Sequence, residues 1–223
     1  MKRLILPAVL TDSLIQAKQY WDQARQWQTG LHIDVIDGQF ADNLTLSVSD
    51  WPQLGDLREH ELHLMVQTST EAVKQALDAG FGRILMQIET LDQPLRFAQD
   101  VTNAKCQAGV VLDLPTPVSV LQPDWCRWLD VVLLMSVKAG FGGQKFHQQV
   151  KEKLQALVQF RHRHQLSFAI GLDGGIKPHL VAELFALGAD RLVIGSGIWA
   201  SDQPDRVWKQ LQQLRAQSMI EAE

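Results

Sequence analysis

The sequence predicts a (β/α)8 TIM barrel of the α/β class, folded as a single domain over residues 1–223, and three observations predict it. Apolar runs of strand length alternate with longer amphipathic segments from one end of the chain to the other. Most of those runs are near-continuous rather than alternating, as strands buried on both faces read. Eight strand–helix units follow one another with no low-complexity linker, charge block or composition shift between them. An open doubly wound sheet is the rival architecture, but it would carry a GxGxxG turn after its first strand. Here that strand runs on into Leu10-Thr11-Asp12.

Strands are expected at 4–8, 31–35, 61–66, 83–88, 108–112, 131–136, 168–172 and 191–194. The first follows Met1-Lys2-Arg3 and invites comparison with a signal peptide. Its apolar run is short, contains Pro7 and gives way to Thr11, Asp12 and an amphipathic segment, so a barrel strand is the better reading. Helices are expected at 13–27, near 50–58 as a short element, and at 69–79, 92–103, 117–127, 147–164 and 178–187. An eighth lies near 204–217, its end fraying after about Gln217.

Composition sets the class of partner. The hydrophobic fraction of 46% and charged fraction of 21% are those of an ordinary globular protein. A net charge of −4 argues against a broad nucleic-acid-binding face, yet leaves room for a local phosphate site built from backbone amides. No run approaches the roughly 18 to 20 apolar residues that span a bilayer. Cys106 and Cys126 show no CxxC spacing, so reduced thiols in a cytoplasmic protein are expected. Trp51 and Trp125 are core residues on the economical reading, with an interface as the alternative.

Barrel enzymes carry their chemistry at the C-terminal ends of the strands. Those positions hold His32 and Asp34 on the second strand, His63 on the third and Asp173 after the seventh. His32 and Asp34 are two apart and therefore share a face. A single strand histidine is ordinarily a hydrogen-bonded core residue. Two histidines and two carboxylates converging at one barrel mouth instead form a divalent-metal site, because burying both carboxylates without a cation is costly. Zinc suits this ligand set, and iron, manganese or cobalt fit the same donors. The remaining histidines, His60, His147, His162, His164 and His179, are expected in solvent.

Glycine-rich loops follow the last three strands: Gly140-Phe141-Gly142-Gly143-Gln144, Gly174-Gly175 and Gly195-Ser196-Gly197. Their amides can cradle a phosphate, with the Ser196 hydroxyl as an added donor, although glycine also serves plain turns. A metal beside a phosphate cradle suits proton abstraction next to a carbonyl, with two carboxylates moving the proton.

At these residues the chain resembles the ribulose-phosphate 3-epimerase family. The resemblance rests on Leu31-His32-Ile33-Asp34-Val35-Ile36-Asp37-Gly38, His63-Leu64-Met65-Val66, Leu133-Leu134-Met135-Ser136-Val137 with Gly140 to Phe146, Asp173-Gly174-Gly175-Ile176, and Gly188 to Ser196. These segments run in family order over nearly the whole chain. The resemblance implies that His32, Asp34, His63 and Asp173 bind one divalent metal ion and that Asp34 and Asp173 are the acid–base pair. It implies that Met65 and Met135 line the site, and that Gly143, Gly174, Gly175, Gly195 and Ser196 contact the substrate phosphate. The implied reaction interconverts D-ribulose 5-phosphate and D-xylulose 5-phosphate.

Several positions depart from the family pattern. Ala8 stands where PSIL supplies a serine, Ile36 where a methionine is usual, and Gln87 where a histidine is usual. Gln39 and Lys138 also differ, and Lys138 is read either as a new charge contact or as a solvated lysine. The metal and acid–base set is intact while the substrate-facing shell has changed. Alternatives are therefore an epimerase of another ketose phosphate, such as D-allulose 6-phosphate, or a non-catalytic phosphosugar-binding homologue. A phosphate-barrel decarboxylase is disfavoured, because its DxKxxD pattern is replaced by His63-Leu64-Met65-Val66-Gln67-Thr68. The expected partners are a phosphorylated ketose and further copies of the chain as a homo-oligomer, with no nucleic acid and no membrane.

Overall fold

Eight parallel strands close on themselves in chain order in the computed structural model, which describes residues 3–220. Met1, Lys2 and residues 221–223, the outer limits of the expected 1–223 unit, lie outside the described residues. The strands are β1 (Leu4–Val9), β2 (His32–Ile36), β3 (Glu61–Met65), β4 (Arg83–Gln87), β5 (Gln107–Leu112), β6 (Val131–Met135), β7 (Ala169–Asp173) and β8 (Arg191–Ile194). Every neighbouring pair is parallel, and β8 returns to β1 through the register Leu4 to Arg191 and Pro7 to Ile194. Each predicted strand is present to within a residue or two.

Alternation along each strand divides the core in two. Ile33 and Val35, Leu62 and Leu64, and Ile84 and Met86 face outward into the large apolar layer under the helices. The intervening Ile36, Met65, Leu85, Val111, Leu133, Met135 and Val193 fill the barrel interior. His32, Asp34, Glu61, His63, Asp173 and Arg191 fall on the same inward parity, and all are buried. Apolar residues on both faces explain why the strand runs read as continuous.

The helices are α1 (Leu14–Gln26), α2 (Ser69–Ala79), α3 (Pro94–Asn103), α4 (Pro123–Cys126), α5 (Val150–Arg163), α6 (Pro178–Ala186), α7 (Ser196–Trp199) and α8 (Pro204–Ile220). Ser13 caps α1 by accepting from the Gln16 amide at 3.4 Å. Two expectations need correction. The short helix near 50–58 is replaced by 3-10 turns at Val48–Asp50 and Pro52–Leu54. The helix at 117–127 shrinks to one 3-10 turn and the four-residue α4. Prolines at 52 and 123 set where these short pieces begin. Trp51 and Trp125 are buried, as core packing required. The eighth helix runs on to Ile220, past the expected fray point. Among the described residues no helix is long and apolar enough to cross a membrane.

Candidate active site

β2 and β3 pair in the register Asp34 to His63 and His32 to Glu61, which stacks the four side chains at the centre of the barrel. Asp173 reaches the same point from the end of β7. His63 Nδ1 lies 2.8 Å from Asp34 Oδ1. His32 Nε2 lies 3.4 Å from Asp34 Oδ1 and 3.9 Å from Asp173 Oδ2. One donor atom from each of His32, Asp34, His63 and Asp173 falls within 4.8 Å of all the others.

This donor set fits a divalent ion. Metal–ligand bonds of about 2.0–2.2 Å would hold four tetrahedral donors roughly 3.3–3.6 Å apart; the donors already lie within 4.8 Å of one another, so the wider pairs would close and the 2.8 Å His63–Asp34 pair would open. His32 Nε2 is wholly buried without a hydrogen-bond partner among the described residues. A buried polar atom left in that state is costly unless something binds it. Both imidazoles are also held from behind. Glu61 Oε1 takes His32 Nδ1 at 2.6 Å. The Gln87 amide, with its oxygen toward His63 Nε2 at 3.1 Å, donates from its nitrogen to Glu89 Oε2 at 2.7 Å. Each ring thus turns its other nitrogen toward the cluster.

Electrostatics separate the two carboxylates. Burial would raise Asp34, but the His32 and His63 imidazoles beside it outweigh that and hold the group below the usual carboxylate range. Asp173 is pushed well above that range, by burial first and then by the Asp34 charge. Burial alone would strip the proton from His32, yet its contacts with Asp34 and Glu61 prevail and lift it to about 10. Without a cation, Asp34 favours its ionised form while Asp173 and His32 both favour their protonated forms.

Above the cluster opens a cavity of about 330 Å³, the scale of a small-molecule site. Asp34 and Asp173 line it, as do Met65, Met135, Gly143, Gly174, Gly175, Gly195 and Ser196. His32 and His63 are fully buried beneath. Ala8 lies on the wall, together with Tyr20, Phe141 and Trp199, which sequence reasoning did not single out. Lys138 is exposed and does not line the cavity; its carbonyl accepts from Gln144 Nε2 at 2.7 Å. Among the described residues no lysine or arginine lines the cavity.

Supporting contacts were largely invisible in the sequence. Asp37, the second aspartate of the β2 motif, accepts the Gln39, Phe40 and Gln67 amides at 2.7–2.9 Å and so shapes the loop rather than entering the cluster. Asn43 Nδ2 ties that loop to Gly140 O at 2.7 Å. The Ser136 hydroxyl donates toward Asp173 O at 2.7 Å and Gly174 O at 2.6 Å, bracing the turn after β7. His60 is buried against Trp21, not in solvent as expected. His147, His162, His164 and His179 are exposed.

Residues 5–199 match the Ribulose-phosphate 3 epimerase family. The chain is 32% identical over 224 residues to the ribulose-phosphate 3-epimerase of Aquifex aeolicus, covering 95% of this chain and 96% of that one. It is 33% identical over 208 residues to the Escherichia coli K12 protein of the same name, covering 91% and 90%. Among solved structures, the 3-keto-L-gulonate-6-phosphate decarboxylase of Vibrio cholerae superposes with a TM-score of 0.69 at 11% identity, covering 97% and 99%. The 3-hexulose-6-phosphate synthase of Salmonella typhimurium gives 0.66 at 16% identity, covering 98% and 100%. At such identities these two structures attest the barrel alone.

Proposed function

The chain belongs to the ribulose-phosphate 3-epimerase family, and from that premise we propose that it interconverts D-ribulose 5-phosphate and D-xylulose 5-phosphate. Asp34 and Asp173 exchange the proton at C3. The observation that carries this reading is the placement of two carboxylates, Asp34 and Asp173, together on the cavity wall beside the histidine cluster.

In one direction Asp34 takes the C3 proton, and the electron pair of the C–H bond moves into the C2–C3 bond to give an enediolate. Asp173 then returns a proton to C3 from the opposite face. The roles reverse for the other epimer. Met65 and Met135 give the reacting carbons an apolar, polarisable wall that keeps water from the intermediate. Gly143, Gly174, Gly175, Gly195 and Ser196 receive the phosphate. With no basic side chain on the wall among the described residues, backbone dipoles carry that recognition. His32, Asp34, His63 and Asp173 would hold the divalent ion, zinc first and iron, manganese or cobalt as alternatives. When bound, it supplies Lewis-acid stabilisation of the charge that develops on the C2 oxygen.

A second reading rests on Ala8, which lines the cavity where the family pattern supplies a hydroxyl. It makes a longer ketose phosphate, such as D-allulose 6-phosphate, the substrate. A purely phosphosugar-binding role is disfavoured, because such a protein has no need of both acid–base carboxylates. The proposal includes a cytoplasmic setting, supported by two buried, unbridged thiols, Cys106 and Cys126, and a homo-oligomeric state to be measured by light scattering.

Solvent-deuterium incorporation, followed by NMR on metal-replete protein, tests the reaction. Label at C3 with epimer formation is expected from ribulose 5-phosphate, with Asp34→Asn and Asp173→Asn each slowing exchange by roughly 10²–10⁴-fold. Wild-type rates in either variant would remove the two-carboxylate mechanism. Faster exchange into allulose 6-phosphate would decide for the second reading.

A further inference from the structure

Beneath the site, the floor of the barrel is charged. Glu61 on β3 and Arg191 on β8 are almost wholly buried, at 0% and 4% exposure. Arg191 Nη2 pairs with Glu61 Oε2, and Arg83 Nη1 approaches the same oxygen at 3.3 Å. Nearby inward positions on β5 and β6 carry Val111, Val131 and Leu133 instead. Apolar side chains would therefore have sufficed to fill the floor. A buried ion pair is commonly no more stabilising than apolar residues of the same volume. This one also leaves Arg191 Nε and Arg83 Nε without partners among the described residues. Stability alone does not account for the arrangement.

Its geometry does. Both arginines take Oε2, leaving Oε1 aimed at His32 Nδ1 at 2.6 Å. Resting on the metal-site reading above, we propose that Glu61, steered by Arg191 and Arg83, is a positioning residue that fixes the His32 ring. It accepts the Nδ1 proton, so that Nε2 is the nitrogen presented to Asp34 and Asp173. His32 Nε2, buried and unpartnered on the cluster side, is the free end of that relay. The arrangement also sets His32 apart from His63, which Gln87 holds by Nε2 and which therefore presents Nδ1. The two imidazoles offer opposite nitrogens because different groups grip them from behind.

The test is zinc affinity of the full-length protein by competition with a calibrated chelator, with melting temperature recorded for each variant. Wild-type binding of one zinc ion is expected; no binding would overturn the metal-site reading and this inference together. Glu61→Leu combined with Arg191→Met removes the grip while keeping the floor uncharged between those two positions. It should weaken zinc binding by about 10–100-fold. Glu61→Gln combined with Arg191→Met keeps an acceptor oxygen facing His32 and should recover most of that loss. If the leucine variant binds zinc as tightly as wild type, the positioning role is overturned while the metal site stands. Equal losses in both double variants, tracking a fall in melting temperature, would show a packing role only and would also overturn it. Should the leucine variant not fold, the 15N imidazole spectrum of the zinc-loaded glutamine variant decides. Nε2 coordination with protonated Nδ1 at His32 supports the inference, and Nδ1 coordination overturns it.

Discussion

His60 shows how far a single residue's role depends on neighbours remote in sequence. Its Nδ1 accepts the Leu31 amide at 3.1 Å, and its ring stacks on Trp21 with centroids 4.1 Å apart and planes 11° from parallel. Burial lowers its pKa to about 4 from the ordinary 6.5. The folded state thus resists the proton that the unfolded chain accepts near pH 6.5. The contribution to stability is present above that pH and is lost as pH falls through 4. Up to about 3 kcal/mol of stability should disappear over that window. His60→Asn, which retains an acceptor for Leu31, should start less stable but lose less on acidification. Urea unfolding from pH 7 to 4 measures both slopes, and identical slopes would refute the assignment. The four clustered site residues were legible because each stands in a dense motif, although His32 opens β2, Asp34 and His63 lie mid-strand and only Asp173 ends its strand. His60 and Glu61 were not, since nothing local reveals that Trp21 covers one and that Arg191 meets the other.

At the scale of elements, the loops after the strands decide the site. Gly175 has φ +63°, and a Cβ there would lie 2.4 Å from Phe146 N and 2.7 Å from Gln144 O. The turn after β7 can therefore pack under the β6 loop only without a side chain. Gly175→Ala should displace the Gln144–Phe146 backbone, raise KM for the sugar phosphate at least about tenfold, and cost roughly 1–2 kcal/mol of backbone strain. Steady-state kinetics with a melting curve check both effects, and an unchanged KM would place the phosphate elsewhere. The strands were legible because covered strands are apolar on both faces. The segment near 50–58 was not, because Trp51 and Leu57 mimic a helix's apolar face while being buried from turns. The short α7 was missed for a related reason. Four residues are too few for a periodic signal, yet they place Trp199 against the Ala8 carbonyl at 2.7 Å and against Tyr20 at the cavity wall.

For the whole molecule, the barrel closes around charge that an apolar interior would not carry. Asp34, Asp173, His32 and His63 share one buried cluster, so an ion that binds only the folded state adds to its stability. At a free zinc concentration of 100 times Kd the gain is about 2.7 kcal/mol, or roughly 5–10 °C in melting temperature for a chain of this size. Chelation followed by calorimetry should show that fall, with restoration on adding zinc back. No change would mean that the cluster is stable without a cation. The sequence by itself determined the order of eight strands, the residues that converge inside the barrel and the family to which the chain belongs. These follow from local periodicity and from motifs whose spacing survives in one dimension. Only the tertiary structure decided which nitrogen each imidazole presents, that Asp37 shapes a loop, that Lys138 stays outside the cavity, and that Glu61 and Arg191 meet beneath the site. Those facts depend on strand register and barrel closure, which bring β3 to β8 across the interior, and no stretch of sequence encodes that distance.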